Sequence, residues 1–394
     1  MSITSESAGK VVYVLGAGFS IPAGAPCQAD ILPGIFDLDE GEPTILEAKT
    51  QLRNFLFRDL HINQSNVEKV ALEDIYTPID RCIADGISLR GRTHSELGEL
   101  RGRIGYLISR AIAARVSRHL NSHPDATAYI NQFADYLVKR AAYRAYLARN
   151  TENANLAKEY DPLSVICLNW DILLDNALHI ALERDCSDSG DYDPFGVVDY
   201  CCYISSLEAR NKRIRSGLWS LGCRGYNVKL LKIHGSMNWL QCPNCQRLFV
   251  EFGEKLGILD LIGKVNCRHC EKYGHHNRLQ GSLVMPTFLK DLSNFQIKLV
   301  WQNAGVELME ARRLVFIGYS LPHADFEFRQ LLTRMIWKDA SVDVVLFKGP
   351  SPQSQKAYAE AVARYEQFFS GHQVNLHSDG VEEYTKRLPS MSAP

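Results

Sequence analysis

Five short runs of apolar residues restrict the folds open to this chain. The first run is continuous and the others are mostly apolar, which is typical of a strand buried on both faces of a parallel sheet. Helical periodicity lies between several of the runs, and strands that alternate with helices indicate a doubly wound α/β sheet. The runs span residues 11–15, 163–168, 228–233, 314–317 and 342–347.

Residues 41–160 have a different pattern. Apolar residues recur three and four positions apart over residues 97–116 and 130–145, as on the buried face of a long helix. A shorter helix is predicted over residues 67–80, broken at Pro78 because proline lacks the N–H that an interior position needs. The pattern predicts a large all-helical insertion between the first and second strands.

Four cysteines form two CxxC pairs, Cys242 with Cys245 and Cys267 with Cys270. Each pair can present two thiolates to one ion, and four thiolates suit a closed tetrahedral zinc site. Such a site has no open coordination position, so we expect the Zn2+ to be structural. A zinc ribbon can also bind nucleic acid, and the motif alone leaves that alternative open.

Together these patterns divide the chain into five segments. We expect a Rossmann-like nucleotide-binding domain from residues 1–40, 161–237 and 281–394, the helical insertion from residues 41–160, and a small zinc-ribbon module from residues 238–280.

Composition narrows the choice of partners and compartment. The 44 basic and 45 acidic residues give a formal net charge of -1, which disfavours direct binding to nucleic acid or to an anionic membrane. The first ten residues lack the apolar core of a signal peptide, and no run approaches the roughly 18 apolar residues of a membrane helix. We therefore expect a cytoplasmic protein, in which 11 cysteines indicate metal ligands and buried thiols rather than disulfides.

Glycines and polar side chains follow the predicted strands. Gly16 and Gly18 come directly after the first run, where glycine lets the backbone approach a phosphate. Asn169 and Asp171 follow the second run, and His234 ends the third. Taken singly, each polar residue could be a loop cap. Because ligands bind at the carboxyl ends of such strands, we expect the set to form one site.

Other familiar chemistries fit less well. Ile21 stands where the dinucleotide fingerprint has its third glycine, which disfavours an ordinary dehydrogenase domain. His323 and Asp325 suggest a catalytic pair, but Pro322 before them and a predicted helix over residues 326–336 favour a loop and an N-cap.

In this order the motifs resemble those of the sirtuin family. The matching segments are Gly16-Ala17-Gly18-Phe19-Ser20, Asn169-Trp170-Asp171, Ile233-His234-Gly235, the two CxxC pairs and Gly318-Tyr319-Ser320. Residues 318–325 are particularly similar to the bacterial sirtuin-like branch found in antiphage defence. The helical insertion is not explained by the common sirtuin core.

The resemblance implies an enzyme that consumes NAD+, and it assigns roles to these residues. Asn169 would orient the nicotinamide ribose or the attacking water, Asp171 would support that loop or the nicotinamide side, and His234 would be the general base. The residues expected to bind NAD+ are Gly16, Ala17, Gly18, Phe19, Ser20, Gly318, Tyr319, Ser320 and Phe347.

Departures from the family pattern favour one activity. Sirtuin deacylases have an aromatic residue and an arginine in the first loop, where this chain has Cys27, Gln28 and Ala29, and usually glutamine where Leu168 stands. The sequence therefore favours an NAD+ hydrolase that yields nicotinamide and ADP-ribose, acting as an antiphage effector. An NAD-dependent protein deacylase and a non-enzymatic nucleotide- or nucleic-acid-binding module remain alternatives.

The resemblance also implies restraint by assembly, because uncontrolled loss of NAD+ kills a cell. We expect a homo-oligomer and a partner protein, such as a hexameric HerA-type ATPase or another sensor. The helical insertion is a plausible surface for either contact.

Overall fold

A sheet of seven parallel strands forms the centre of the protein in a computed structural model, which describes residues 9–150, 163–187, 196–207, 214, 225–252, 263–290 and 292–391. Its strand order is β11-β10-β9-β1-β2-β5-β3. The strands are β1 (Lys10–Leu15), β2 (Leu163–Cys167), β3 (Gly196–Asp199), β5 (Tyr226–Lys232), β9 (Ala311–Ile317), β10 (Ser341–Val345) and β11 (Val374–His377). This order confirms the predicted doubly wound α/β sheet.

Strand β1 lies in the middle of the sheet and pairs with β2 on one side and β9 on the other. The chain builds one half of the sheet after β1 and returns to the other side of β1 to build the second half. Two loops therefore leave the sheet in opposite directions at the carboxyl ends of β1 and β9, which is where sheets of this topology have a crevice. In open α/β sheets this switch point is where ligands bind.

Helices cover the sheet and form the block between β1 and β2. Within the described residues they are Gln28–Phe36, Pro43–Asn54, Leu72–Asp85, His94–Ser122, Ala128–Asn150, Leu173–Ser187, Arg268–Glu271, Phe295–Glu310, Phe326–Met335, Pro352–Phe368 and Gly380–Met391. The Gln28–Phe36 helix packs on the His94–Ser122 helix rather than on a strand. Residues 151–160, the predicted end of the block, lie outside the described residues, and the five-segment division stays a prediction.

Pro78 does not break its helix, contrary to the prediction. The helix Leu72–Asp85 runs through this residue and ends at Gly86, which adopts a left-handed conformation. Ile75, Tyr76 and Ile79 are all fully buried on the inner face of this helix. Burying three large side chains outweighs the roughly 3 kcal/mol that an interior proline costs.

A second, smaller sheet has the strand order β4-β7-β6-β8. Its strands are β4 (Ile204–Ser206), β6 (Gly235–Gln241), β7 (Leu248–Val250) and β8 (Gln280–Leu283). Strand β6 begins where β5 ends and leads directly to the first CxxC pair, so the small sheet joins the cysteine module to the main sheet. Among the described helices, none has the length and apolar character needed to cross a membrane.

Candidate active site

Five adjacent strands of the main sheet carry the predicted site residues at their carboxyl ends. In spatial order from β10 to β5, the strands are followed by Phe347, Gly318, Gly16, Asn169 and His234. Residues separated by more than 300 positions in the chain thus share one edge of the sheet. The prediction that these residues lie at strand ends agrees with the strand bounds.

The two glycine loops at the switch point touch each other through their backbones. The Gly16 N–H donates to the Ile317 carbonyl at 3.0 Å, and the Gly18 N–H donates to the Gly318 carbonyl at 2.8 Å. Gly318 has φ +63, and a Cβ there would lie 2.2 Å from the carbonyl carbon of Gly18 and from the Phe19 nitrogen. These glycines are therefore required by the contact between the loops as well as by any phosphate.

Ala17 is the exposed residue of the first loop. The N–H groups of Gly16, Gly18, Phe19 and Ser20 donate to backbone carbonyls, whereas the Ala17 N–H has no acceptor among the described residues. A backbone N–H that points outward from such a turn suits an anion. This group is the best-placed donor of the loop for a diphosphate oxygen.

The helical block supports the first loop from behind. Phe19 is buried, with its ring 5.8 Å from that of Tyr129, and the Tyr129 hydroxyl donates to the Phe19 carbonyl at 2.6 Å. His119 Nε2 lies 3.1 Å from the Pro22 carbonyl. The Phe19 side chain therefore packs inside the protein, and only the backbone of this residue remains near the crevice.

Asn169 ties the end of β2 to the first loop. Its Nδ2 donates to the Gly16 carbonyl at 2.9 Å and to Ser20 Oγ at 3.1 Å. The Gly16 carbonyl can only accept, which identifies the nitrogen of the amide. With both amide hydrogens used, Oδ1 is the part of Asn169 that can accept from a ribose hydroxyl or a water.

Asp171 lies beside the same loop and begins the next helix. Its Oδ1 accepts from the Leu173 N–H at 3.2 Å, as the sequence predicted for a cap. Burial raises the pKa of Asp171, and the charge of Lys232 and a hydrogen bond from Ser20 offset part of the rise. Asn169, Ser20 and Asp171 are thus linked in one chain of hydrogen bonds.

Lys232, which the sequence analysis did not select, is buried below this loop. Its Nζ forms an ion pair with Asp175 Oδ2 at 2.9 Å, with the two side chains 0% and 1% exposed, and also donates to the Asp171 carbonyl. The Tyr200 hydroxyl donates to the other Asp175 oxygen at 2.8 Å. A lysine near the end of a mostly apolar run was the available signal, since such a cation needs a partner if the strand is buried.

His234 occupies the turn between β5 and β6. Its Nδ1 lies 3.2 Å from the Leu168 carbonyl, and its own carbonyl accepts from the Val284 N–H at 2.9 Å. The next residue, Gly235, has φ +71, and a Cβ there would meet the Ser282 carbonyl at 2.2 Å. The His-Gly pair is therefore fixed from both sides, by the end of β2 and by β8.

Asp325 corrects the sequence interpretation. It stands at the N-cap position of the Phe326–Met335 helix, but its side chain makes no capping hydrogen bond. The carboxylate faces His234 Nε2 at 3.5 Å and Lys290 Nζ at 2.9 Å. The predicted cap position was right, but the side chain binds elsewhere, because spacing along the chain cannot show that residues 234, 290 and 325 meet.

Charge explains the state of this carboxylate. Burial alone would raise the pKa of Asp325, but His234 and Lys290 together hold it well below its usual range. Burial would likewise lower the pKa of Lys290, and the carboxylates of Asp325 and Glu327 raise it instead. Both groups are therefore charged at neutral pH.

The remaining predicted NAD+ contacts differ in access. Tyr319 is 5% exposed, and its hydroxyl donates to Asp325 Oδ2 at 2.9 Å, so its side chain is buried and its hydroxyl already has a partner. Ser320 is exposed, and its carbonyl accepts from Arg364 Nε at 2.9 Å. Phe347 is 68% exposed just beyond β10, where its ring presents a free face of the kind that stacks on a base.

The four CxxC cysteines meet in space, as their spacing predicted. Their Sγ atoms all lie within 4.8 Å of one another, with 3.7 Å between Cys242 and Cys270 and between Cys245 and Cys267. A tetrahedron with Zn–S distances of about 2.3 Å has edges of about 3.8 Å, so the cluster fits one Zn2+ ion. It provides four thiol ligands and thus suits a structural ion.

Arg268, one of the few basic residues of the cysteine module, is engaged within the protein. It donates to the Ser206 carbonyl at 2.6 Å and lies over the Phe249 ring at 5.5 Å. Its guanidinium is therefore engaged by the module itself, although the residue is exposed.

A surface cleft of about 720 Å³ lies apart from this edge of the sheet. It is lined by the Gln28–Phe36 and His94–Ser122 helices, with Asp30 paired to Arg115 at 2.9 Å across it. None of its lining residues belongs to the strand-end set.

No family of known sequences and no curated protein matches the chain, but solved sirtuin structures resemble it. A crystal structure of a Sir2 homologue with NAD is 11% identical, covers 98% of this chain and 91% of its own, and has a TM-score of 0.40. A sirtuin structure concerned with substrate affinity is 13% identical over 100% of both chains, with a TM-score of 0.38. A Sir2 complex with a p53 peptide and NAD+ is 13% identical, covers 97% and 92%, and has a TM-score of 0.37. With TM-scores below 0.5, function has to be judged from the site itself.

Proposed function

We propose that this protein binds NAD+ at the switch point of the sheet and hydrolyses the nicotinamide–ribose bond to give nicotinamide and ADP-ribose. The observation that carries the proposal is the meeting of three groups at adjacent strand ends. The Gly16–Ser20 turn, the Asn169 amide and the His234 imidazole are joined by hydrogen bonds of 2.9 Å at Gly16 and 3.2 Å at Leu168.

Each part of this arrangement suits one part of the substrate. The outward Ala17 N–H suits the diphosphate, and the exposed Phe347 ring suits the adenine. The Asn169 Oδ1 suits a hydroxyl of the nicotinamide ribose or the attacking water. His234 Nδ1 lies 3.2 Å from the carbonyl of Leu168, the residue before Asn169, and this closeness supports a base beside the nicotinamide ribose.

Hydrolysis needs one proton transfer. The bond between ribose C1′ and the nicotinamide nitrogen breaks with its electron pair going to nicotinamide, which neutralises the pyridinium. The oxygen of a water molecule bonds to C1′ of the oxocarbenium-like ribose, and His234 Nε2 takes the proton from this water. The chain has to hold the ribose, orient the water and accept that proton.

The test is nicotinamide release from NAD+ by the purified protein without any acylated peptide. Removing a general base costs roughly 10²–10⁴-fold in rate, so His234→Ala and Asn169→Ala should both lose most of the activity. His94→Ala and Asn66→Ala change exposed residues of the same types outside the site and serve as matched controls.

Two further arms separate the alternatives. Release that requires an acyl-lysine peptide would replace hydrolysis with deacylation. Salt-dependent binding to nucleic acid, together with no NAD+ binding by calorimetry and no turnover, would favour the non-enzymatic module.

We further infer a cytoplasmic antiphage effector that depletes NAD+ and is restrained by assembly. The sequence resemblance supports this role. The helical block contacts the first loop directly, because the Tyr129 hydroxyl donates to the Phe19 carbonyl. A homo-oligomer or a HerA-type ATPase bound to that block would act on the loop through this contact. NAD+ levels in infected cells with the wild type or His234→Ala test the role, and equal levels would contradict it.

A further inference from the structure

Asp325 is held in one orientation by groups on two other segments. Its Oδ1 lies 2.9 Å from Lys290 Nζ and 3.5 Å from His234 Nε2, and its Oδ2 accepts from the Tyr319 hydroxyl at 2.9 Å. The Asp325 side chain is 10% exposed and that of Lys290 is 4% exposed. One carboxylate oxygen is therefore shared between a lysine and the candidate base.

We propose that Asp325, fixed by Lys290 and Tyr319, is the positioning residue of His234, orienting the imidazole and stabilising the imidazolium that forms when His234 accepts a proton. The catalytic part of this inference rests on the proposed function. The electrostatic part concerns the folded protein alone, so the two parts can be tested separately.

The two ring nitrogens of His234 face different surroundings. Nδ1 lies 3.2 Å from the Leu168 carbonyl, which can only accept, so Nδ1 carries a hydrogen. Nε2 lies 3.5 Å from the Asp325 carboxylate, which is too long for a good hydrogen bond. Nε2 is buried and has no hydrogen-bond partner among the described residues, so it is the nitrogen left to accept a proton.

Lys290 moderates the effect of the carboxylate. Its ammonium binds the same oxygen that faces His234 and also lies 2.9 Å from Glu327 Oε2. An ammonium on the shared oxygen reduces the negative charge that this oxygen presents to His234. Lys290 therefore limits how strongly Asp325 attracts the proton.

Other charged groups approach His234 from the neighbouring elements. Asp171 comes from the loop after β2, and Lys232 comes from its own strand, β5. Lys232 is paired with Asp175 and holds the Asp171 carbonyl, so these charges are largely compensated. Changes to Asp325 or Lys290 should therefore have the largest effect on the charge that surrounds His234.

Histidine-labelled protein gives a test that does not depend on turnover. The His234 ring signal is assigned by its loss in His234→Ala, and its pH midpoint is followed by NMR in Asp325→Asn and Lys290→Met. The midpoint should fall by about one pH unit or more in Asp325→Asn and rise in Lys290→Met, because the two changes remove opposite charges.

The controls separate electrostatics from damage to the fold. Glu327→Gln removes a partner of Lys290 that does not touch His234, so its shift should be the smallest, and Lys290→Arg should restore the wild-type midpoint. Circular dichroism checks that each variant folds. Shifts in the same direction for Asp325→Asn and Lys290→Met, or no shift in either, would overturn the inference.

The pH profile of NAD+ consumption then tests the catalytic part. In Asp325→Asn, kcat/KM should fall by up to about tenfold for each pH unit lost from the midpoint, mainly in kcat, and the acid limb of the profile should move in the same direction as the NMR midpoint. Opposite NMR shifts without NAD+ binding or turnover would refute the proposed function but keep the charge coupling. Turnover with an acid limb that ignores both variants would refute the positioning role.

Discussion

Replacing Lys232 with methionine should destabilise the fold strongly. The change removes a cation that is 0% exposed and leaves Asp175, 1% exposed, without its ion pair at 2.9 Å. Only the Tyr200 hydroxyl, 2.8 Å away, would still bind that carboxylate. Removing one partner of a buried ion pair costs about 3–5 kcal/mol, a large part of a total stability of about 5–15 kcal/mol.

Urea unfolding of a double-mutant cycle measures this cost. We expect Lys232→Met to lose about 3–5 kcal/mol, and the double variant Lys232→Met with Asp175→Asn to recover at least half of it, because no uncompensated charge remains buried. Lys356→Met is the matched control, since Lys356 is 80% exposed in its pair with Glu360 and such pairs contribute at most about 1 kcal/mol.

Two results would refute this reasoning. One is a loss below about 1 kcal/mol in Lys232→Met, well under the expected cost of an unpaired buried charge. The other is simple additivity in the double variant, which would mean that the two residues do not interact. NAD+ consumption by Lys232→Met should also fall, because the Asp171 carbonyl loses the hydrogen bond that Lys232 Nζ donates to it.

Three further changes have defined outcomes. Gly318→Ala places a Cβ 2.2 Å from the facing loop at a residue with φ +63. NAD+ affinity measured by calorimetry should therefore fall at least about tenfold. Gly371 has open space around it, so Gly371→Ala should leave NAD+ affinity unchanged. Cys270→Ser should lower bound zinc by mass spectrometry and lower the melting temperature, whereas Cys82→Ser, a buried free cysteine, should keep the zinc; full zinc content in Cys270→Ser would contradict the site. Burial raises the pKa of Asp171, so the folded protein binds a proton at this carboxyl more tightly than the unfolded chain does. The resulting stabilisation is fully present below the unfolded pKa of about 3.9 and is lost as pH rises through the pKa of the folded state. Asp171→Asn should therefore raise the urea midpoint of unfolding more at pH 7.5 than near pH 4. The same variant should lower NAD+ consumption. An increase in the urea midpoint that does not depend on pH would exclude this explanation.

Local patterns were enough for the strands and the long helices. Mostly apolar runs of four to six residues located β1, β2, β5 and β9 to within three positions, because a strand in a parallel sheet is buried on both faces. Apolar residues three and four positions apart located the helix His94–Ser122, because this spacing puts them on one buried face of a helix. The CxxC spacing located the thiol cluster, since two cysteines three apart can bind one ion.

The same reasoning was wrong where tertiary contacts outweigh local preference. Pro78 stays inside a helix because its neighbours Tyr76 and Ile79 are fully buried. Strand β3 was not predicted, because its segment contains many turn residues, and it forms by pairing with β5.

By itself, the sequence determined the class of fold, the cysteine cluster and the position of Gly16, Asn169 and His234 at strand ends. Only the tertiary structure decided which of these residues meet and what else joins them. Lys232 below Asp171, and Asp325 with Lys290 beside His234, could not be found from spacing. Their contacts depend on the order of strands in the sheet, and a charge selects its partner by distance in space rather than by separation along the chain.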